Sequence, residues 1–356
     1  MTRLHKLAVG GAAAALIMTG AVSKSFAIEA GDFQYLAGGT IGLPLGAAPP
    51  AGVYTGLTTF EGLYGGMTGN QGGTLPSQTA HGIGLGAFGG VVPILWSTGW
   101  NFLGASYSVA VIQPFVTAFA GQDNGLPVPG GVNANTTCAG SSLGALNANS
   151  LCAWQQMIIN TVWQPLSLSW NLGNGWFTSV AFSFQGPDGT RVTGTANPDF
   201  WTFSPSVAVS YLSANWNASI NMVYQIYTAS QGITGAIGGT APANGFIDGN
   251  QFAGDLHALY KLGKWEFGPV GYFVVQTTTD RPGGGFTCAT PNLCGNQNFV
   301  GVGGLVGYDF GPVDLQVWAT DTVWSQNTAE AGWTIWSRIG FRLWAPEAPK
   351  PLVAKN

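Results

Sequence analysis

The side chains able to do chemistry are few and thinly spread. Three histidines stand at His5, His81 and His257, and four cysteines at Cys138, Cys152, Cys288 and Cys294. A hydrolase would need a nucleophile beside a base, with an acid or amide orienting that base. His81 lies in a Gly/Thr/Gln-rich stretch, and no nucleophile motif adjoins it or His257. No catalytic residue is assigned and no enzyme is expected. The cysteines lack close histidine partners, so they do not form a zinc pattern, and neither metal nor cofactor is expected. Four cysteines allow three pairings. Their spacing favours local bridges, Cys138 with Cys152 and Cys288 with Cys294, each inside one Gly/Asn/Pro-rich segment. What remains is a set of scattered charged or polar candidates: Glu61, Asp255, His257, Lys261, Asp314, Arg338 and Arg342. Their chemistry depends on what positions them.

The positioning elements show in the alternation. Trp201, Phe203, Pro205, Val207, Val209 and Tyr211 interleave with Thr202, Ser204, Ser206, Ala208 and Ser210. Trp216, Ala218, Ile220, Met222, Tyr224 and Ile226 interleave with Asn217, Ser219, Asn221, Val223 and Gln225. Period-2 alternation is a strand with one apolar and one polar or small face. Only 7% of residues are charged, against about 25% in an ordinary soluble domain. A soluble sandwich would carry charge on its open face. Ser, Asn, Gly and Thr suit an enclosed lumen, and the apolar rows end in Trp or Tyr as membrane girdles do.

Residues 1–27 read as a secretory signal: Arg3 and Lys6, an apolar run from Leu7 to Val22, then Ser25-Phe26-Ala27 as a small-x-small cleavage pattern. The apolar run is short of the roughly 20 residues a spanning helix needs, and no later stretch supplies one. An exported apolar chain without such a helix points to a closed barrel. Turn clusters divide the rest into about twelve strands, near 53–64, 82–96, 101–116, 155–171, 175–186, 200–212, 215–228, 251–262, 264–278, 298–309, 312–322 and 332–344. Connections alternate short and long. The short ones are Ser97 to Trp100, Leu172 to Asn174, Ser213-Ala214, the Gly263 turn and the Gly311 turn; the long ones include 65–81, 117–154, 187–199, 229–250 and 279–297. The expected fold is therefore all-β, a transmembrane antiparallel up-and-down barrel with short periplasmic turns and long extracellular loops in the outer membrane of a bacterium. Both cysteine pairs fall in outer loops, where they could staple an adhesive surface.

The domain reading follows: 1–27 signal, 28–52 an N-terminal segment, 53–344 the barrel, and 345–356 a Pro-rich tail. The prolines of 28–52 keep it out of the wall; it either hangs free as a periplasmic linker or folds into the lumen. Assigning apolar parity to lipid sends Trp176, Val180, Phe182, Phe184, Leu256, Tyr260, Val317 and Ile339 outward. It sends Ser179, Gln185, Asp255, His257, Lys261, Asp314, Gln316, Arg338 and Arg342 inward, with Trp318 and Trp336 narrowing the bore. Asp314 can approach Arg338 or Arg342, and the closing strand meets the one bearing Glu61. These charges either brace the wall or form a constriction that orients a solute. Glycines at Gly86, Gly89 and Gly90 either bend the wall or make room for an inserted segment.

Several stretches resemble the outer-membrane family associated with the meta-pathway of phenol degradation, which includes sphingosine-responsive barrel proteins. They are Pro49 to Tyr54, Val92 to Trp96 with Phe102-Leu103-Gly104, Leu168 to Gly173, Trp201 to Val207, Gly268 to Tyr272 and Gly332 to Trp336. The resemblance implies an outer-membrane transporter for aromatic or other hydrophobic compounds, and it carries no catalytic or ligand set. The cysteine loops and the tail after Trp344 depart from it, since barrel-assembly machinery usually reads a terminal aromatic. Expected partners are outer-membrane lipid, that machinery and a small hydrophobic solute. The 11 scattered basic residues argue against nucleic acid.

Overall fold

In the computed structural model, the described residues are 36–64, 83–122, 153–189, 200–231, 247–281, 296–328 and 332–346. The signal segment, all four cysteines, His81 and the tail beyond Pro346 lie outside them. The described residues form thirteen strands: β1 Gly52–Tyr64, β2 Ile83–Phe102, β3 Ala105–Gln122, β4 Ala153–Ile158, β5 Val162–Gly173, β6 Trp176–Gln185, β7 Thr202–Leu212, β8 Trp216–Tyr227, β9 Gln251–Leu262, β10 Trp265–Gln276, β11 Asn298–Asp309, β12 Val313–Gln326 and β13 Gly332–Trp344. Apart from β4 and β5, which do not pair with each other, sequence neighbours pair antiparallel; β1 pairs with β13, and β2–β3 completes the circuit. Both β4 and β5 lie along β3. They form one interrupted stave, and the closed wall has twelve.

Two expectations about the staves need correction. The first short turn is not at Ser97–Trp100 but at Leu103-Gly104, both with positive φ (52° and 77°). The Ser97-Thr98-Gly99 cluster is a register irregularity inside the hairpin. There the Ser97 hydroxyl donates to the Pro49 carbonyl (2.8 Å) and that of Thr98 to the Tyr107 carbonyl (2.8 Å). The fourth stave, expected as continuous over 155–171, breaks at residues 159–161. Opposite the break stands Pro114, which has no N–H to give to a ladder. The Gln113 side chain fills in, donating to the Pro114 and Ile159 carbonyls (2.9 and 2.8 Å) and accepting from the Thr161 hydroxyl (3.0 Å).

Alternation sorts the side chains as a lipid-embedded cylinder requires. Outward positions such as Trp176, Val180, Leu256, Val306, Val317 and Ile339 are exposed, while Ser179, Ser210, Asn217, Asp255 and Thr320 are buried inside. At the short-turn end, outward aromatics pair across strands: Trp176 with Tyr211, Trp216 with Tyr260 and Trp265 with Tyr308, at centroid separations of 5.0, 5.3 and 4.7 Å. Trp201, Trp324 and Trp333 are exposed toward the other end. Such girdles hold a barrel at the two interfaces. Leu256 lies mid-strand on this outer face, opposite Ile220 and Gly271. Replacing it by Arg is expected to lower the folding free energy in lipid vesicles by about 2–4 kcal/mol, measured by urea titration; an unchanged midpoint would mean that this face does not meet hydrocarbon.

Candidate functional site

The hydrophobic core of this protein is the inside of the barrel. Phe60, Val116, Val223, Ala253, Leu259, Val270, Tyr272, Val274, Phe299, Leu305, Trp318 and Trp336 come from eight staves and are buried together. Two further members belong to no strand: Ile159, at the break in the fourth stave, and Ile41, which is fully buried. It is carried in by residues 36–51, which run inside the wall as successive tight turns, with Gly39 N bonded to Leu36 O (2.8 Å) and Leu43 N to Thr40 O (3.1 Å).

This segment is gripped by side chains from around the lumen. Asp255 accepts from Gly38 N (2.8 Å), Thr40 N (2.8 Å) and the Thr40 hydroxyl (2.7 Å). From β13, the Arg338 guanidinium donates to the carbonyls of Gly39 and Ile41, each at 2.5 Å, and to Thr58 Oγ1 and Gln316 Oε1. A carboxylate thus takes the segment's N–H groups and a guanidinium takes its carbonyls. His257 Nδ1 accepts from Gly42 N (3.1 Å) and its Nε2 lies 3.2 Å from Asn217 Oδ1. That geometry fits the neutral ring with its proton on Nε2, donating to the amide oxygen. Both ring nitrogens are occupied by structural partners. Nearer the short-turn end, Ser210, Ser179 and Ser169 bond Gly46 N, Leu45 O and both Gly46 O and Ala48 N. A Cβ on Gly46 would lie 2.6 Å from Ser210 N, so only glycine permits this approach to the wall.

The balance of this grip is close. Five charge-assisted bonds at about 1.5–3 kcal/mol each give roughly 8–15 kcal/mol. Ordering residues 36–42 costs about 1–2 kcal/mol per residue, or roughly 7–14 kcal/mol. The segment is held, but by a small margin.

Above it sits an aromatic layer. Trp318 and Trp336 face one another across β12–β13 with rings stacked at 5.5 Å and 4°. Phe60 packs on Trp336 at 5.1 Å, and Arg338 lies 4.8 Å over the Trp318 ring. Gly89 serves this layer rather than the inserted segment, since a Cβ there would strike the Phe60 ring, whereas Gly90 faces outward and a Cβ there would strike Phe115. Beyond it, at the long-loop end, comes an amide layer. Gln251 donates to Gln297 (2.9 Å), Gln297 to Thr328 (3.1 Å) and Gln276 to Asp280 (2.6 Å). The Tyr227 hydroxyl lies within 2.7 and 2.9 Å of the Gln225 and Gln251 amide oxygens. Each of these glutamines is 2% exposed. Neither this layer nor the grip on 36–51 is visible as a motif; the one signal is that Gln225, Gln251 and Gln276 all fall on inward parity near strand ends.

The family follows from comparison of the whole chain with known proteins. Residues 67–339 match the family described as "Putative MetA-pathway of phenol degradation". The chain belongs to this family. Among solved structures, an outer-membrane channel from Pseudomonas putida F1 superposes with a TM-score of 0.60 at 11% identity, covering 83% of this chain and 96% of that one. Looser likenesses are the translocator domain of the autotransporter NalP from Neisseria meningitidis (TM-score 0.41, 12% identity, 83% and 90% covered) and the Ralstonia pickettii toluene transporter TbuX (0.36, 11%, 88% and 95%). At 11% identity the likeness to the Pseudomonas putida structure establishes the fold alone. No curated protein matches the chain by sequence.

As an outer-membrane barrel of this family, the protein has its short turns at the periplasmic mouth. Lys261, Asp314 and Arg342 share inward parity there, with Asp314 and Arg342 exposed at the rim. Arg338 does not turn to Asp314; its donors go to the inserted segment, Thr58 and Gln316. Gln316 in turn donates to Glu266 (2.6 Å). Glu61 requires a correction. It is exposed on the outer face, opposite Ile335 and Phe88, and takes no part in the lumen. The reason is Phe60, which turns inward onto Trp336 and sets the parity of β1; Thr55, Thr58 and Thr59 leave that strand without a clear apolar row. Among the described residues no group of His, Cys, Asp and Glu could hold a metal ion.

Proposed function

We propose that this protein is a passive outer-membrane channel for small hydrophobic compounds, aromatic ones in particular, and that the state described above is its closed form. The observation that carries the reading is the aromatic middle of the lumen. A water-filled pore for ions presents polar groups along its whole bore, whereas here Phe60, Trp318, Trp336, Tyr272 and Phe299 occupy the centre. Twelve staves give a bore between the side-chain-filled barrels of eight strands and the aqueous channels of 16–18. The solved relative described as an outer-membrane channel supports the same reading. His257, with both nitrogens committed to Gly42 and Asn217, does not support hydrolysis.

Uptake of radiolabelled phenol and toluene by cells lacking the gene, against cells restored with it, tests the proposal. Restored cells are expected to take up solute several-fold faster at micromolar concentration. Equal rates would refute transport of this class.

A further inference from the structure

We propose that His257 makes the barrel acid-sensitive: protonation of its ring breaks the hold on residues 39–42 and opens the lumen to ions. The inference rests on the channel reading and adds its regulation.

The hold repeats on two peptide units. The carbonyl of Gly39 and the N–H of Thr40 belong to one unit; Arg338 donates to its oxygen and Asp255 accepts from its nitrogen. The carbonyl of Ile41 and the N–H of Gly42 belong to the other. There Arg338 again donates to the oxygen, but the acceptor on the nitrogen is His257 Nδ1. One guanidinium thus works against two acceptors, a carboxylate on the first unit and a neutral imidazole on the second. An imidazole is the side chain whose ordinary titration falls between about pH 5 and 8. On gaining a proton it loses its acceptor atom and becomes a donor at both nitrogens.

The surroundings turn that change against the bound segment. With Nε2–H given to Asn217 Oδ1 (3.2 Å), the added proton sits on Nδ1 and meets the Gly42 N–H, donor against donor. The imidazolium is also a second cation on a peptide unit whose oxygen already receives Arg338. Gly42 cannot step back by a small shift, because Gln316 stands behind it: a Cβ on Gly42 would lie 2.7 Å from Gln316 Oε1. The charged groups about the ring are Asp255 and Lys261 along β9, Arg338 from β13, and Glu266 from β10, which accepts from Gln316 (2.6 Å). From the flanking strands β8 presents Ser219 opposite the ring and β10 presents Val270; the inserted segment presents backbone. Of the anions, Asp255 sits one rung along the same strand. An imidazolium drawn to it competes with Gly38 and Thr40 for the carboxylate, so the first peptide unit loosens with the second. Residues 45–48 are held by the hydroxyls of Ser169, Ser179 and Ser210, which do not titrate.

The test is the mean conductance of the full-length protein in a planar bilayer at about pH 7 and about pH 4.5. Ion conductance needs no hydrophobic solute, so its outcome is separable from the uptake result. Acid is expected to raise the conductance reversibly, by at least about fivefold. His257→Asn keeps an acceptor oxygen near the place of Nδ1 but gains no proton, and its conductance is expected to change less than about twofold between the two conditions. Protein lacking residues 36–48 is expected to conduct well at both, without the acid rise. Each barrel is checked for heat-modifiable migration, which reports closure. Should His257→Asn fail that check, His257→Arg carries the charge at every pH and is expected to conduct at neutral pH as the wild type does in acid. Equal wild-type conductance in both conditions would overturn the proposal. So would a full acid rise in folded His257→Asn, which would move the sensor to Asp255 or Glu266, or the same rise in the protein without the segment.

Discussion

Deletion of residues 36–48 is expected to raise mean conductance in a planar bilayer at least about tenfold, since the removed chain lies in an intermediate bore between the Trp336 rung and the short-turn end. The wall should survive the change. Every stave retains both neighbours, and the segment bonds the wall through side chains that point into the lumen, where water can replace it. Ser169, Ser179, Ser210, Asn217 and His257 lose partners on residues 42–48 and regain them from solvent. The aromatic layer then faces water on one side and becomes the narrowest remaining section. Unchanged conductance would relocate the barrier to the glutamine layer around Gln251, Gln276 and Gln297, which the deletion leaves intact.

Much of this architecture was legible in the chain because a membrane cylinder imposes period 2 without relief. The alternation from Trp201 to Tyr227 marks β7 and β8 with the correct outward rows, and β9 and β11 fall at 251–262 and 298–309 as the turn clusters indicate. Legibility ends where a side chain's direction is set by a distant partner. Glu61 was misplaced because the polar threonines of β1 leave its parity undecided until Phe60 meets Trp336. The break at 159–161 depends on Pro114, which acts across the ladder from another stave. The site was harder still. Asp255, His257 and Arg338 can be assigned to the lumen by parity, but what they hold is the backbone of a glycine- and proline-rich segment. Any sequence offers amides and carbonyls; Gly46 matters for the side chain it lacks. The glutamine layer gathers residues from β8, β9, β10 and the residue before β11, and nothing local to any one strand announces it.

Arg338→Met should be the most damaging point substitution in the lumen, lowering the unfolding free energy by about 3–5 kcal/mol in vesicles. Methionine conserves much of the stem and its packing under Trp318, so the loss is electrostatic. The carbonyls of Gly39 and Ile41, Thr58 Oγ1 and Gln316 Oε1 each lose a donor, and an unmet buried polar group costs about 1–3 kcal/mol. Asp255 keeps its negative charge across the lumen, with the neutral donors of Gly38 and Thr40 in place of the lost guanidinium. The same substitution in the protein lacking residues 36–48 separates this account from a general defect in β13. There Arg338 and Asp255 are hydrated, the two carbonyls are gone, and the cost should fall to within about 1 kcal/mol, leaving a coupling of several kcal/mol between Arg338 and the segment, far above the usual spread for independent sites. An equal loss in both backgrounds would mean that Arg338 braces Thr58 and Gln316 in the wall, and that the inserted segment is held by Asp255 and the lumen serines without it.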